Sequence, residues 1–303
     1  MARFAEAAAE LTLVIVLLAV VVARKQKENT AQFDAIVTPL WPQIEKALNM
    51  QSVEKDSWSY RSLKRDFDAK VLDGLRPKSN QLDGTTQAAV EDVVKVFIAK
   101  WEGPISETEY DIIVKGAFED FVKQEDGDTL AGKLRSSLKQ IFESEALRLY
   151  QERKKPITFF HAIQSNVIDP LNERMIGWDT EGNKAFNDQF PSPDQKGLFK
   201  HFYLSTVREL IENSKDIHSL NTIEREALHK VTIMKNQLEN EVFKVSGKNV
   251  VYQPGRELKQ FYKNALDIYS ESSKQNPGQP AKMHVKDLAK EAWSRVETET
   301  ATD

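Results

Sequence analysis

Apolar residues fall into two patterns along this chain. The first is a single unbroken run near the start, Leu11 to Ala23, reading LTLVIVLLAVVVA with no charged residue. The second is a recurring spacing of three and four that continues almost to the end, with few alternating stretches between. Spacing of that kind places side chains on one face of an α-helix. The expected fold class is therefore all-α: an N-terminal single transmembrane helix followed by a bundle of about 8–10 helices.

The apolar run covers about 20 Å at ~1.5 Å per residue, against a hydrocarbon core about 30 Å thick. Extending it back through Ala9, Ala8 and Ala7 to Phe4 gives a full span and brings Glu10 and Glu6 into or beside the membrane. Arg24, Lys25 and Lys27 follow directly, and basic residues at that edge stay on the cytoplasmic side. These flanks predict a signal anchor over 1–23, with the N-terminus outside and the bulk of the chain in the cytoplasm or an equivalent inner compartment. Val21 and Ala23 also satisfy the small-residue requirement of a cleaved secretory signal, and an interfacial or buried core helix is a third reading. Ala5 with Ala9, and Ala8 with Thr12, set small residues one turn apart, where a partner helix could approach and meet Glu10. The alternative is a short span with both glutamates among the headgroups.

Beyond the anchor, Phe33, Ile36, Val37, Leu40, Trp41, Ile44 and Leu48 predict a juxtamembrane stalk helix within 24–50, broken or kinked at Pro39 and Pro42. A first part of the bundle, 51–155, contains a mixed candidate from Ser57 to Leu75 and a regular face at Ala89, Val90, Val93, Val94, Phe97 and Trp101. Ser106 and Glu109 then have capping-box spacing ahead of Tyr110, Ile113, Val114, Ala117 and Phe121. A long helix is expected over Asp128 to Lys154, with Asp128 as its N-cap and Arg153, Lys154 and Lys155 answering its dipole.

The second part, 156–296, opens with a helix kinked at Pro170. Residues 177–197 combine glycines, Pro191, Pro193 and several Asp and Asn, and are expected to form a long surface loop. Its aromatics Trp178, Phe186 and Phe190 make that loop the expected contact for a partner. The alternative is a connection pinned to the body by the same aromatics. Ser192 with Gln195, and Asn221 with Glu224, predict two further helix starts. Asn249 to Tyr252 is the one strand-like scrap, and 297–303 (ETETATD) is expected to be a disordered tail.

Composition narrows the chemistry. The 303 residues carry 42 Lys and Arg against 46 Asp and Glu, a formal charge of −4, so no cationic excess is available for phosphate backbones and nucleic acid is not an expected partner. With no cysteine, thiolate catalysis, disulfides and cysteine-bearing metal centres are excluded. No phosphate loop, dinucleotide fingerprint, hydrolase elbow or zincin helix is present, and no cofactor is expected. The Glu125 to Asp128 stretch fails the spacing of a calcium loop. One pair, Glu226 with His229, has the E-x-x-H spacing of a di-iron half-motif, and the second half is missing.

The expected function is a membrane-anchored structural, tethering or regulatory subunit of a membrane-associated assembly. Its partners would be the bilayer, other membrane or membrane-associated subunits, and possible further copies of itself. The alternatives are a membrane-tethered all-α enzyme with a cryptic site, and a secreted or periplasmic helical binding protein released at Ala23.

Overall fold

The computed structural model describes residues 35, 38–72, 84–124, 129–247, 255–275 and 284–300. Among them every regular element is helical and none is a strand. No helix among the described residues is long and apolar enough to cross a membrane. The expected anchor 1–23, the stalk up to residue 34 and the strand-like Asn249 to Tyr252 lie outside the described residues. The described helices are more numerous and shorter than the sequence predicts, because prolines and irregular turns divide stretches that read as continuous.

The chain divides into two compact units, one drawn from Met1–Ile113 and Leu149–Gln164, the other from Val114–Arg148 and Ser165–Asp303.

In the first unit, α1 (Leu40–Ala47) begins directly after Pro39, so the stalk is broken there, as a residue without an amide proton favours. It ends in a Schellman turn: Met50 N–H reaches Glu45 O at 2.8 Å, Asn49 N–H reaches Lys46 O at 3.3 Å, and Asn49 takes φ 55°. Leu40, Ile44, Leu48 and Met50 are buried, so this part of the expected stalk belongs to the body. Trp41 meets Tyr60 edge-on at 5.7 Å and donates from Nε1 to its hydroxyl at 3.0 Å. That hydroxyl donates to Glu45 at 2.6 Å. Tyr60 belongs to α2 (Trp58–Phe67), whose cap Ser57 accepts from Tyr60 N–H at 3.3 Å, and which continues into a π-turn, Asp68–Leu72.

The unit is completed by α3 (Gly84–Glu102), the start of α4 (Glu107–Lys123), the end of α6 (Lys139–Glu152) and α7 (Pro156–Ile163). Its core is aromatic: Trp58 stacks on Phe160 at 4.7 Å and Trp101 meets the same ring edge-on at 4.8 Å. The capping box at the head of α4 is formed, with Ser106 N–H on Glu109 Oε2 at 3.0 Å and Glu109 N–H on Ser106 Oγ at 3.3 Å. Arg153, Lys154 and Lys155 follow the end of α6 and are exposed, which suits their complement to its dipole.

The second unit holds the rest of α4 and α6 with α5 (Leu130–Arg135) between them. The N-cap of α5 is Thr129, accepting from Gly132 N–H at 3.0 Å; Asp128, the expected cap, lies outside the described residues. The long helix expected over 128–154 is α5, a 3-10 turn and α6. Around Pro170 the chain forms a π-turn, Gln164–Ile168, and then α8 (Asp169–Gly177) with Pro170 in its first turn, where its missing N–H costs least.

The loop expected over 177–197 is mostly helix: a π-turn, Trp178–Gly182, then α9 (Asn183–Gln189). Trp178, Phe186 and Phe190 are 1%, 5% and 0% exposed, so these rings are core and present no surface to a partner. Two of the three glycines that suggested a loop lie close against a neighbouring side chain instead. A Cβ at Gly182 would lie 2.7 Å from Glu224 Oε1, and one at Gly197 would lie 3.0 Å from Leu266 Cδ2.

Four longer helices close the unit: α10 (Pro193–Glu212), α11 (Leu220–Ser246), α12 (Arg256–Gln275) and α13 (Val285–Thr300). Contacts run from α10 to α11, on to α13, to α12 and back to α10, a four-helix bundle. Phe199, Phe202, Tyr203, Val231, Leu238, Phe261, Ala292 and Trp293 are among its buried residues. The expected tail is helical as far as Thr300, with Trp293 Nε1 donating to Glu297 at 3.0 Å; residues 301–303 lie outside the described residues.

Candidate functional site

The second unit carries a cleft of about 300 Å³, formed where α6, the π-turn before α8, α8 itself and the start of α11 come together. Glu145 and Arg148 reach it from α6, Ser165 and Asn166 from the π-turn, and Arg174 from α8. On the other side, a 3-10 turn, Ile217–Ser219, leads into α11. That turn contributes His218, and the first turn of α11 contributes Asn221.

Arg174 is the most embedded of these groups. Its guanidinium pairs with Glu224 of α11, both side chains being about one-fifth exposed, and lies 5.4 Å from the centroid of the buried Trp178 ring. Its Nε is buried with no hydrogen-bond partner. Burial lowers the pKa of the guanidinium, against the raising influence of Tyr203 and Glu181. Burial in turn pushes the Tyr203 phenol up to about 12, with the Arg174 charge opposing. Glu224 has room for this pairing because residue 182 has no side chain.

Arg148 is held differently. Its Nε donates to Glu145 Oε2 at 2.9 Å, one turn away on the same helix, and half of its side chain remains exposed. In the facing π-turn, Asn166 Nδ2 donates to Ser165 Oγ at 3.1 Å. The backbone N–H of His218 is taken by Asp216 Oδ1 at 2.8 Å. The cleft thus gathers two guanidiniums, two amides, a hydroxyl and an imidazole, a set dominated by hydrogen-bond donors.

A second polar cluster lies in the first unit. Asp66 accepts from Trp101 Nε1 at 3.2 Å and pairs with Lys70 at 2.6 Å and Lys100 at 3.4 Å. Burial and the neighbouring Lys70 lower the pKa of Lys100; for Lys70 burial is the largest single influence and lowers it, but the bonds to Asp66 and Lys100 and the charges of Asp66 and Glu109 together raise it. The cluster links α2 and its π-turn to the end of α3.

The sequence-derived candidates fall elsewhere. Glu226 and His229 are exposed on α11, and Glu226 pairs with Lys230 at 3.1 Å. Among the described residues no group of three or more His, Asp or Glu is placed to hold a metal. Glu10, Ala5, Ala9, Arg24, Lys25 and Lys27 lie outside the described residues. Sequence reading missed Arg148 and Arg174. Glu145 and Arg148 look like an ordinary pair on a helix face, and nothing in the sequence joins Arg174 to Glu224.

No family model, curated protein or solved structure matches the chain.

Proposed function

We propose that this chain is a membrane-anchored tethering or regulatory subunit of a membrane-associated assembly, with its helical body on the cytoplasmic side of the membrane or its equivalent. The observation that carries the reading is the uncharged Leu11 to Ala23 run followed at once by Arg24, Lys25 and Lys27, the pattern of an anchor with its basic edge inside. The way the chain continues supports it. A tether transmits position only if the chain leaving the membrane is fixed to the body. Here α1 and the turn after it are fixed by four buried apolar residues and by the Trp41, Tyr60 and Glu45 hydrogen bonds. The 17 steps from Ala23 to Leu40 reach at most about 60 Å, which keeps the first unit near the membrane surface.

The test is extraction. Full-length protein expressed at native level should stay in the pellet under alkaline carbonate and leave it in mild detergent. It should then run as a defined assembly with stoichiometric partner chains identified by mass spectrometry. Release by carbonate, or a lone monomer in detergent, refutes the reading. A mature N-terminus just after Ala23 would favour the secreted binding protein instead.

A further inference from the structure

We propose that the cleft between α6, α8 and the start of α11 binds a phosphate group, as a phosphate monoester or as inorganic phosphate. This inference concerns only the second unit and does not rest on the membrane reading.

The lining selects the ligand by charge. Arg148 and Arg174 come from different helices and both line the same small cleft; guanidiniums are the side chains best matched to the oxygens of a phosphate. Ser165, Asn166, Asn221 and His218 add donors suited to the remaining oxygens. The start of the 27-residue α11 also lines the cleft, through Asn221 and the turn before it. It brings the positive end of a helix dipole.

The acids nearby do not turn this into a cation site. Glu145 is engaged by Arg148, Glu224 by Arg174, and Asp216 by the His218 N–H. Each therefore has a cationic or N–H partner. Arg174 meets Glu224 through its terminal nitrogen and still has a buried Nε without a hydrogen bond. A buried donor left so costs free energy. A dianion can accept from both guanidiniums at once, which a neutral ligand does with less charge assistance. About 300 Å³ is at the lower end of ligand-pocket size, enough for a phosphate with a small organic residue and too little for a nucleotide with all of its contacts inside.

The test is calorimetry on the full chain in mild detergent, titrated with inorganic phosphate and with glycerol phosphate, using sodium chloride at matched ionic strength as control. One saturable site per chain is expected for phosphate and none for chloride. Arg148→Gln, at a half-exposed position, should weaken binding about tenfold or more, the loss of one charge-assisted contact. Arg174→Gln removes a partner of Glu224 and Trp178 and endangers folding. Asn166→Ala, at an exposed position, is therefore the second variant, with a loss of about threefold expected for a neutral hydrogen bond. Lys184→Gln, an exposed cation outside the cleft, should leave binding unchanged.

Vesicles of phosphatidylcholine with and without phosphatidic acid separate the two sources of the group. Binding to the doped vesicles that is lost in Arg148→Gln identifies a lipid headgroup, and saturable binding of the soluble phosphates alone identifies a free one; either supports the site. Failure to bind phosphate above the chloride control, or binding that Arg148→Gln and Asn166→Ala leave unchanged, overturns it.

Discussion

Replacing Phe190 by Ala tests the placement of the 177–197 region directly. In a surface loop the substitution would change stability by no more than about 0.5 kcal/mol. In the structure Phe190 is fully buried, with its ring 4.8 Å from Phe186 and stacked 4.9 Å from Phe199. Truncating a buried Phe costs about 3–5 kcal/mol in lost transfer energy and cavity, and the two ring neighbours add to what is lost. A loss of about 4 kcal/mol is expected. The assay is urea unfolding of the full chain in mild detergent, followed by far-UV circular dichroism and by the fluorescence of tryptophans that include the buried Trp178. With an m-value of about 3 kcal/mol/M, the second unit's midpoint should fall by about 1.3 M. Phe243, half exposed on α11, is the control, and Phe243→Ala should move the midpoint by less than about 0.2 M. Equal, small shifts for the two variants would refute the buried placement.

Gly182→Ala should lose about 1 kcal/mol in the same assay, because the new Cβ would lie 2.7 Å from Glu224 Oε1 and the overpacking outweighs the helix propensity gained; in the Glu224→Ala background the loss should disappear, and a Gly182→Ala chain as stable as wild type would show that the space was not needed. Ser106→Ala should lose about 1 kcal/mol by opening the capping box, read as a drop of about 2 °C in melting temperature. The backbone and side-chain hydrogen bonds from Ser106 hold the Glu109 carboxyl below its usual 4.5. Their stabilisation is therefore present above about pH 4.5 and lost as pH falls through the lowered value, and the variant's acid limb should be flatter. Burial lowers the pKa of His161, and burial with Lys133 and Lys200 lowers that of His201. The unfolded chain binds protons near pH 6.5 that the folded chain refuses, so stability should fall as pH drops through about 6.5 and level off below the folded values. His161→Phe and His201→Phe should each reduce that slope in melts between about pH 7 and pH 5, and an unchanged slope in both would remove the histidines as its source.

The helical class was legible because its signal is local. Val90, Val94, Phe97 and Trp101 recur at helical spacing and are buried on one face of α3. The Ser106 and Glu109 box was legible for the same reason, since both partners lie within one turn. The other two starts have the same spacing and a different outcome. Gln195 donates to the Tyr262 hydroxyl at 3.3 Å, and Glu224 is drawn to Arg174. In the first case a partner distant in sequence took the side chain that would have closed the box; in the second the helix already begins at Leu220, so Asn221 lies inside its first turn and Glu224 is left to Arg174. Such competition is tertiary and leaves no mark in a four-residue window.

The candidate cleft was illegible for a related reason, and its place in the fold explains it. Periodicity assumes a constant turn of about 100° per residue. A π-turn admits one extra residue and re-aims the face that follows by about that angle. Two such turns bracket α8, at Gln164–Ile168 and Trp178–Gly182. Each offsets the helical count, so a face followed from α7 does not continue into α8, and one followed through α8 loses Phe186 and Phe190. Those rings then look like unaligned aromatics in a Gly-rich and Asn-rich stretch. The same irregularity sets Ser165 and Asn166 at the cleft beside Arg174. Positions at which local rules fail are where a fold departs from regular packing to do something else. The segment that composition marked as a surface loop is helical with its aromatic rings in the core, and the polar groups it helps to position were hidden by the same break in period.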